Sequence, residues 1–182
     1  MILSNNATSL FSELPNNTII RINLAWENTF DKVEKAIAKC TKKIFFDYPF
    51  GRTKIPKATF SLDEAIKIAN KHSDKILFFA ISNAESDVLL KNLRDTLKSS
   101  IKIIPKIESA KGIKNLKRIM KACNTDTFMI DLEDLSANVN NNQDVYELIK
   151  EYCYKIASEN NYKILRLKGV IFDYENLEND NG

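Results

Sequence analysis

A single histidine, His72, limits the chemistry open to this chain more than anything else it lacks. It sits in Asn70-Lys71-His72-Ser73 at the end of a helical pattern, where no Ser/His/Asp or Cys/His nucleophile arrangement can be built around it. Cysteine is scarce as well. Cys40, Cys123 and Cys153 are far apart and show no CxxC spacing, so neither a zinc site nor a disulfide framework is expected, and they read as core thiols of a reducing compartment. The few glycines, Gly51 and Gly112 among them, form no GxGxxG or Walker-type phosphate cradle. No stretch approaches the roughly 20 apolar residues of a membrane span, and Met1 to Ser12 has no basic segment ahead of its apolar residues. A basic block is also missing. The net charge of +3 is spread along 182 residues without a set of exposed stacking aromatics, which argues against nucleic acid as the main partner. The chain is expected to be cytoplasmic.

What is present is a repeated strand and helix pattern. Thr18 to Leu24 reads as a strand with Arg21 and Asn23 on one face, followed by a helix from about Asn28 to Lys39 capped by Asn28 or Thr29. Lys43 to Tyr48 is a second strand ending in Asp47. Pro49, Gly51 and Pro56 then open a loop that carries Arg52, Lys54 and Lys57. Ser61 with Glu64 is a capping-box signature for a helix reaching His72. Lys75 to Ser82 is a strand, Glu85 to Lys98 a helix, and Ser100 to Glu108 another strand. An amphipathic stretch leads to Phe128-Met129-Ile130 and the acidic Asp131-Leu132-Glu133-Asp134. The polar loop Asn138 to Asn142 precedes a helix from about Gln143 to Ser158, and Tyr162 to Leu167 is a last strand that can continue past Gly169 to Phe172.

Strands alternating with helices at a repeat of roughly 25 to 35 residues argue for parallel βαβ connections. The expected fold is α/β, an incomplete TIM-type barrel with about six parallel strands, since eight units need about 250 residues; an open sheet is the alternative. Residues 18–173 are expected as one partial barrel, 1–17 as a lead-in that is irregular or a short helix, and 174–182 as a flexible acidic tail. Ligands of such folds gather at the carboxyl ends of strands, where Arg21, Asn23, Asp47, Lys106, Glu108, Asp131, Glu133 and Asp134 fall. Glu108 and Asp134 would aim two carboxylates into one cleft beside Lys106, a donor set suited to Mg²⁺ or Mn²⁺. Arg21 could clamp a carboxylate or phosphate, or could be held in an ion pair with Asp47 or Glu27. The acidic strand ends could equally be helix caps.

With these residues laid out, the chain resembles the barrel of pyruvate kinase, in the phosphoenolpyruvate/pyruvate superfamily. Arg21-Ile22-Asn23-Leu24-Ala25-Trp26 resembles that family's RxNFSH strand, and Phe46-Asp47 with Gly51-Arg52-Thr53 resembles its DxxGPxxRT stretch. Ala80 to Val88 is similar to LSFVRSAEDV, Ile103 to Gly112 to IIxKIExxxG, and Phe128 to Leu135 to IMVARGDLG. The resemblance implies metal on Glu108 and Asp134, Lys106 neutralising phosphate or enolate charge, Arg21 on phosphate, and Asn23 and Asp47 near a monovalent cation. Ala25 and Trp26 replace the Ser and His of the first motif. Leu132, Glu133 and Ser136 replace residues whose backbone receives the substrate carboxylate, and the segment from Lys54 to Phe60 is too short for the lid domain. Ordinary pyruvate kinase activity is therefore not expected.

The citrate lyase β and HpcH/HpaI aldolase branch of the same superfamily is also similar over part of the chain. Ile107-Glu108-Ser109-Ala110 before Gly112 resembles its IETAxG motif, and Leu132-Glu133-Asp134-Leu135 its GAEDL motif, in which Glu133 is normal. That resemblance implies a lyase or aldolase acting on a 2-oxo acid or enolpyruvyl compound. Arg21 would bind and polarise the oxo-acid carbonyl, and Mg²⁺ on Glu108 and Asp134 would stabilise the enolate. Arg21, Asn23, Asp47 and Ser136 are the expected substrate-binding residues, and specificity would rest on loop residues such as Tyr48, Asn83 and Ser136, which carry no recognisable code. The competing expectation is an inactive barrel remnant used for binding or assembly. Its open edges would be covered by a second copy, a partner chain or the N-terminal segment, and its cleft would be filled by Trp26 or Phe50.

Overall fold

The computed structural model describes residues 1–10, 13–27, 29–52, 55–168 and 171–174. Expectations that fall on Asn28, Thr53, Lys54, Gly169, the side chain of Glu133 and the tail 175–182 lie outside the described residues.

Seven strands run parallel in chain order: β1 (Ile2–Ser4), β2 (Ile19–Asn23), β3 (Lys43–Tyr48), β4 (Ile76–Ile81), β5 (Lys102–Ile107), β6 (Thr127–Ile130) and β7 (Lys163–Lys168). An eighth, β8 (Ile171–Tyr174), pairs antiparallel with both β7 and β1 and closes the ring. The fold is thus an α/β TIM-type barrel that is incomplete in its βα units. One short antiparallel strand stands in the sector where a full barrel has another strand and helix.

Two elements differ from the sequence reading. Ile2–Ser4 is a strand with a 3₁₀ segment, Asn5–Leu10, behind it, where an irregular or helical lead-in was expected. The last strand does not continue through to Phe172 but reverses into β8, so a partner is not needed to cover the barrel edges.

The helices are α1 (Phe30–Lys39), α2 (Leu62–Lys71), α3 (Asp87–Thr96), α4 (Ala110–Lys114), α5 (Leu116–Cys123), α6 (Leu132–Asn138) and α7 (Gln143–Glu159). Most begin where the sequence supplies a side-chain oxygen for the orphan N–H groups of the first turn. Thr29 caps α1, Ser86 caps α3, Ser109 caps α4, Asp131 caps α6 and Asn142 caps α7, while Ser61 and Glu64 form the expected capping box on α2. His72 is the C-cap of α2, with Nε2 at 2.9 Å from Glu34, and takes no part in the barrel mouth.

The two-residue period of the strands sorts their side chains into two layers. Ile22, Phe46, Phe79, Ile103, Phe128 and Ile130 pack outward against helix residues such as Val33, Ile66, Leu93 and Ile119. Residues of the opposite parity, Phe45, Phe78, Ala80, Ile104, Met129 and Leu165, fill the interior with Ile2. The same parity carried one step further along each strand gives Asp47, Ser82, Lys106 and Asp131. An apolar floor therefore dictates where the polar mouth must be.

Candidate active site at the barrel mouth

The mouth is a cavity of about 350 Å³ lined by Arg21, Asn23, Asp47, Arg52, Ser82, Asn83, Lys106, Glu108, Asp131, Asp134 and Asn138, with Pro49 and Gly51. Its centre is a buried ion network. Arg21 donates from Nε to Asp47 Oδ2 at 2.8 Å and also reaches it through Nη2. Lys106 Nζ lies 3.7 Å from Asp47 Oδ1 and 3.1 Å from Glu108 Oε1, and donates to Ser82 Oγ at 3.0 Å. The backbone N–H of Asn83 donates to Glu108 Oε2 at 2.9 Å. Asn83 adopts a left-handed backbone (φ 49°), which Asn tolerates better than most residues, and its side chain donates to the carbonyl of Phe50 at 2.8 Å. Gly112 answers a close approach: a Cβ there would sit 3.0 Å from the carbonyl oxygen of Ala84.

Charge in this network is set by competition between burial and neighbours. Burial alone would raise the Asp47 carboxyl, but the Lys106 ammonium and the Arg21 guanidinium hold it below its usual value. Burial likewise works against the Lys106 ammonium, and Asp47 with Glu108 outweighs it, raising the Lys106 pKa. Lys106 is an ammonium at neutral pH. For Glu108, burial wins over Lys106 and the Asn83 N–H, and its carboxyl is raised.

Glu108, Asp131 and Asp134 bring carboxylate oxygens within 4.8 Å of one another. Asp131 follows β6 directly, and its Oδ1 accepts the N–H of Asp134 at 3.1 Å, so the cap of α6 also turns Asp134 toward Glu108. Three hard oxygen donors suit Mg²⁺ or Mn²⁺ and not a soft metal. Among the described residues the cavity carries four carboxylates against three cationic side chains, a formal balance that a divalent ion would turn positive, as an anionic substrate requires.

Arg21, Asn23, Asp47, Lys106, Glu108 and Asp134 are all brought together here, as the strand ends implied. The Arg21 to Asp47 pair is present, but it is largely buried. Ser136 is elsewhere: its hydroxyl donates to Asn141 Oδ1 at 3.3 Å, and it is not among the described residues lining the cavity. Trp26, 65% exposed, does not fill the cleft. Two contacts escaped the reading from sequence: Ser82 holds Lys106, and Asn83 holds Glu108. Asp131, which the sequence placed at this edge without a metal role, joins the carboxylate cluster. Asp131 carried a readable signal, an Asp ahead of a helical turn; the two contacts depend on strand register.

The TIM-type barrel with its charged C-terminal mouth, taken with the family match, supports a place in the phosphoenolpyruvate/pyruvate superfamily. The chain belongs to the HpcH/HpaI aldolase/citrate lyase family, whose model matches residues 8–179. That assignment falls on the second of the two resemblances read from its motifs, not on pyruvate kinase. No curated protein sequence matches the chain. Among solved structures, RipC from Yersinia pestis is similar with a TM-score of 0.62 at 14% identity, over 91% of this chain and 73% of that one. CitE from Mycobacterium tuberculosis, in complex with magnesium, acetoacetate and coenzyme A, is similar with a TM-score of 0.60 at 15% identity, over 91% and 63%. The citrate lyase beta subunit of M. tuberculosis with oxaloacetate and magnesium matches with a TM-score of 0.60 at 15% identity, over 91% and 76%. At these identities the likeness concerns the fold.

Proposed function

We propose that the chain is a divalent-metal-dependent lyase of the aldolase or citrate lyase type, acting on a 2-oxo acid or enolpyruvyl compound. The observation that carries this reading is the convergence of Arg21, Lys106 and the cluster of Glu108, Asp131 and Asp134 on one cavity. Glu108 and Asp134, joined by Asp131, would hold Mg²⁺ or Mn²⁺. A cation there would supply Lewis-acid polarisation of a substrate oxygen.

The remaining work falls to side chains of this chain. Asp47 fixes the plane of the Arg21 guanidinium through two N–H groups, so that Arg21 meets a carboxylate or carbonyl oxygen in a set orientation. Lys106, kept protonated by Asp47 and Glu108, places a positive charge where an enolate oxygen develops negative charge. A charged ammonium is not a nucleophile, which argues against a Schiff-base route through Lys106. Asn23 offers its amide beside Arg21. Asp47 thus acts by positioning, and Ser136, outside the cavity lining, is given no part in substrate contact.

The open, charged cavity favours an enzyme over the remnant reading, which expects the cleft to be filled. Calorimetric titration of Mg²⁺ and then Mn²⁺ with pyruvate or oxalate present, beside Glu108→Gln, tests the site. A lyase is expected to bind metal saturably, to lose it in the variant, and to release pyruvate from 4-hydroxy-2-oxo acids. A folded wild type that binds neither metal nor 2-oxo acid overturns the proposal.

A further inference from the structure

Arg21 and Asn23 line two cavities at once. One is the charged mouth; the other, about 210 Å³, is bounded on its far side by Ser4, Asn5, Asn6, Trp26 and Glu27. The chemistry of the second cavity is different. Apart from Arg21, which Asp47 engages, the only charged side chain among its described lining residues is Glu27, which accepts from Asn5 Nδ2 at 3.4 Å. Asn23 Oδ1 accepts the backbone N–H of Ala25 at 3.0 Å, so the acceptor end of that amide is committed while its NH₂ can still donate. The Ser4 hydroxyl and the Asn6 amide add further donors and acceptors. Beside them is Trp26, the single tryptophan of the chain, exposed where an indole usually buries its rings.

We infer that this second cavity is a subsite for an uncharged carbonyl or amide group carried on a flat body, bound next to the group held at Arg21. Amides and a hydroxyl satisfy a neutral polar ligand from both sides. The Trp26 indole offers a stacking face for its body, and the Glu27 carboxylate opposes an anion. Ser4 ends β1, and Asn5 and Asn6 open the 3₁₀ segment behind it, so the N-terminal stretch supplies three of the seven described lining residues as well as a strand of the ring. The inference rests on the proposed lyase reading only for the ligand's role as the uncharged fragment beside a 2-oxo acid; its binding requires no metal.

The lone tryptophan makes the subsite directly observable. Intrinsic fluorescence of the intact chain is titrated with benzamide and with benzoate, which share a shape and differ in charge, with pyruvate and Mg²⁺ present and absent. Benzamide is expected to change Trp26 emission saturably and to bind about tenfold more tightly than benzoate. Glu27→Gln is expected to remove that discrimination, and Asn6→Ala to weaken benzamide in a chain whose circular dichroism is unchanged. A wild type with no saturable response, or with equal affinity for the two probes, overturns the subsite. Saturable benzamide binding in a protein that takes up no metal or pyruvate by calorimetry overturns the lyase reading and leaves the subsite standing.

Discussion

The floor and the mouth of this barrel are made by the same strands, two residues apart, and they differ completely in what they contribute. Phe45 and Asp47 share a face of β3, and Ile104 and Lys106 share a face of β5, yet one member of each pair belongs to an apolar cluster and the other to a charged cavity. Stability and chemistry are thus separated along the strand axis. The floor gains from burial of aromatic and branched side chains, at about 25 cal/mol per Å² of apolar surface removed from water. The mouth carries buried charge, which tends to cost stability unless each ion is paired. Pairing is what Asp47, Lys106 and Glu108 provide for one another.

That separation can be broken from either side. Phe45→Ala, in the floor, is expected to cost about 3 to 5 kcal/mol of unfolding free energy, measured by denaturant titration, because the barrel interior cannot collapse around the lost ring. Metal affinity in the fraction that remains folded should be unchanged. Glu108→Gln, in the mouth, is expected to lower Mg²⁺ affinity by about 100-fold in calorimetry while moving the melting temperature less than Phe45→Ala does.

Acid sharpens the contrast further. The folded Asp47 carboxyl titrates below its ordinary value of 3.8, so its contribution is fully present above that pH and is lost as pH falls through the lower folded value. Unfolding free energy measured against pH should therefore drop below pH 3.8, and the drop should be shallower in Asp47→Asn. Thiol labelling is the smallest effect. Burial pushes the Cys123 thiol up to about 12, so Cys123 and Cys153 should label only on unfolding, while half-buried Cys40 labels first in the native protein.

Much of the helical sector was legible in the sequence because its signals are local. Ser61 with Glu64, the apolar runs of β3 to β6 and the acidic strand ends each declare themselves within a few residues. The mouth followed, since residues two apart on a strand must share a face, and parallel strands align their ends. The closing sector was harder to read. Strand β1 is three residues long and runs straight into a polar segment, too short for any period to show, and β8 runs antiparallel to β7, a reversal that composition alone did not reveal. Helix α6 was hidden in an acidic run that reads equally well as a loop. The partners of Lys106 and Glu108 in Ser82 and Asn83 come from a neighbouring strand and the loop after it, so they depend on register, a property of two segments that neither shows alone.

The closing strand has a consequence for how the molecule is made. Ile2 pairs with Phe172, so β1 completes its hydrogen bonding only with a strand made about 170 residues later in the chain. At about 5 to 20 residues per second, β1 waits roughly 10 to 35 s for β8, far longer than a helix or hairpin needs to form. During that interval the growing chain is an open parallel sheet with a bare edge at β1, the state in which strands find wrong partners. Prompt folding of the β7 to β8 hairpin on emergence is then the step that decides whether a nascent chain becomes a barrel or an aggregate.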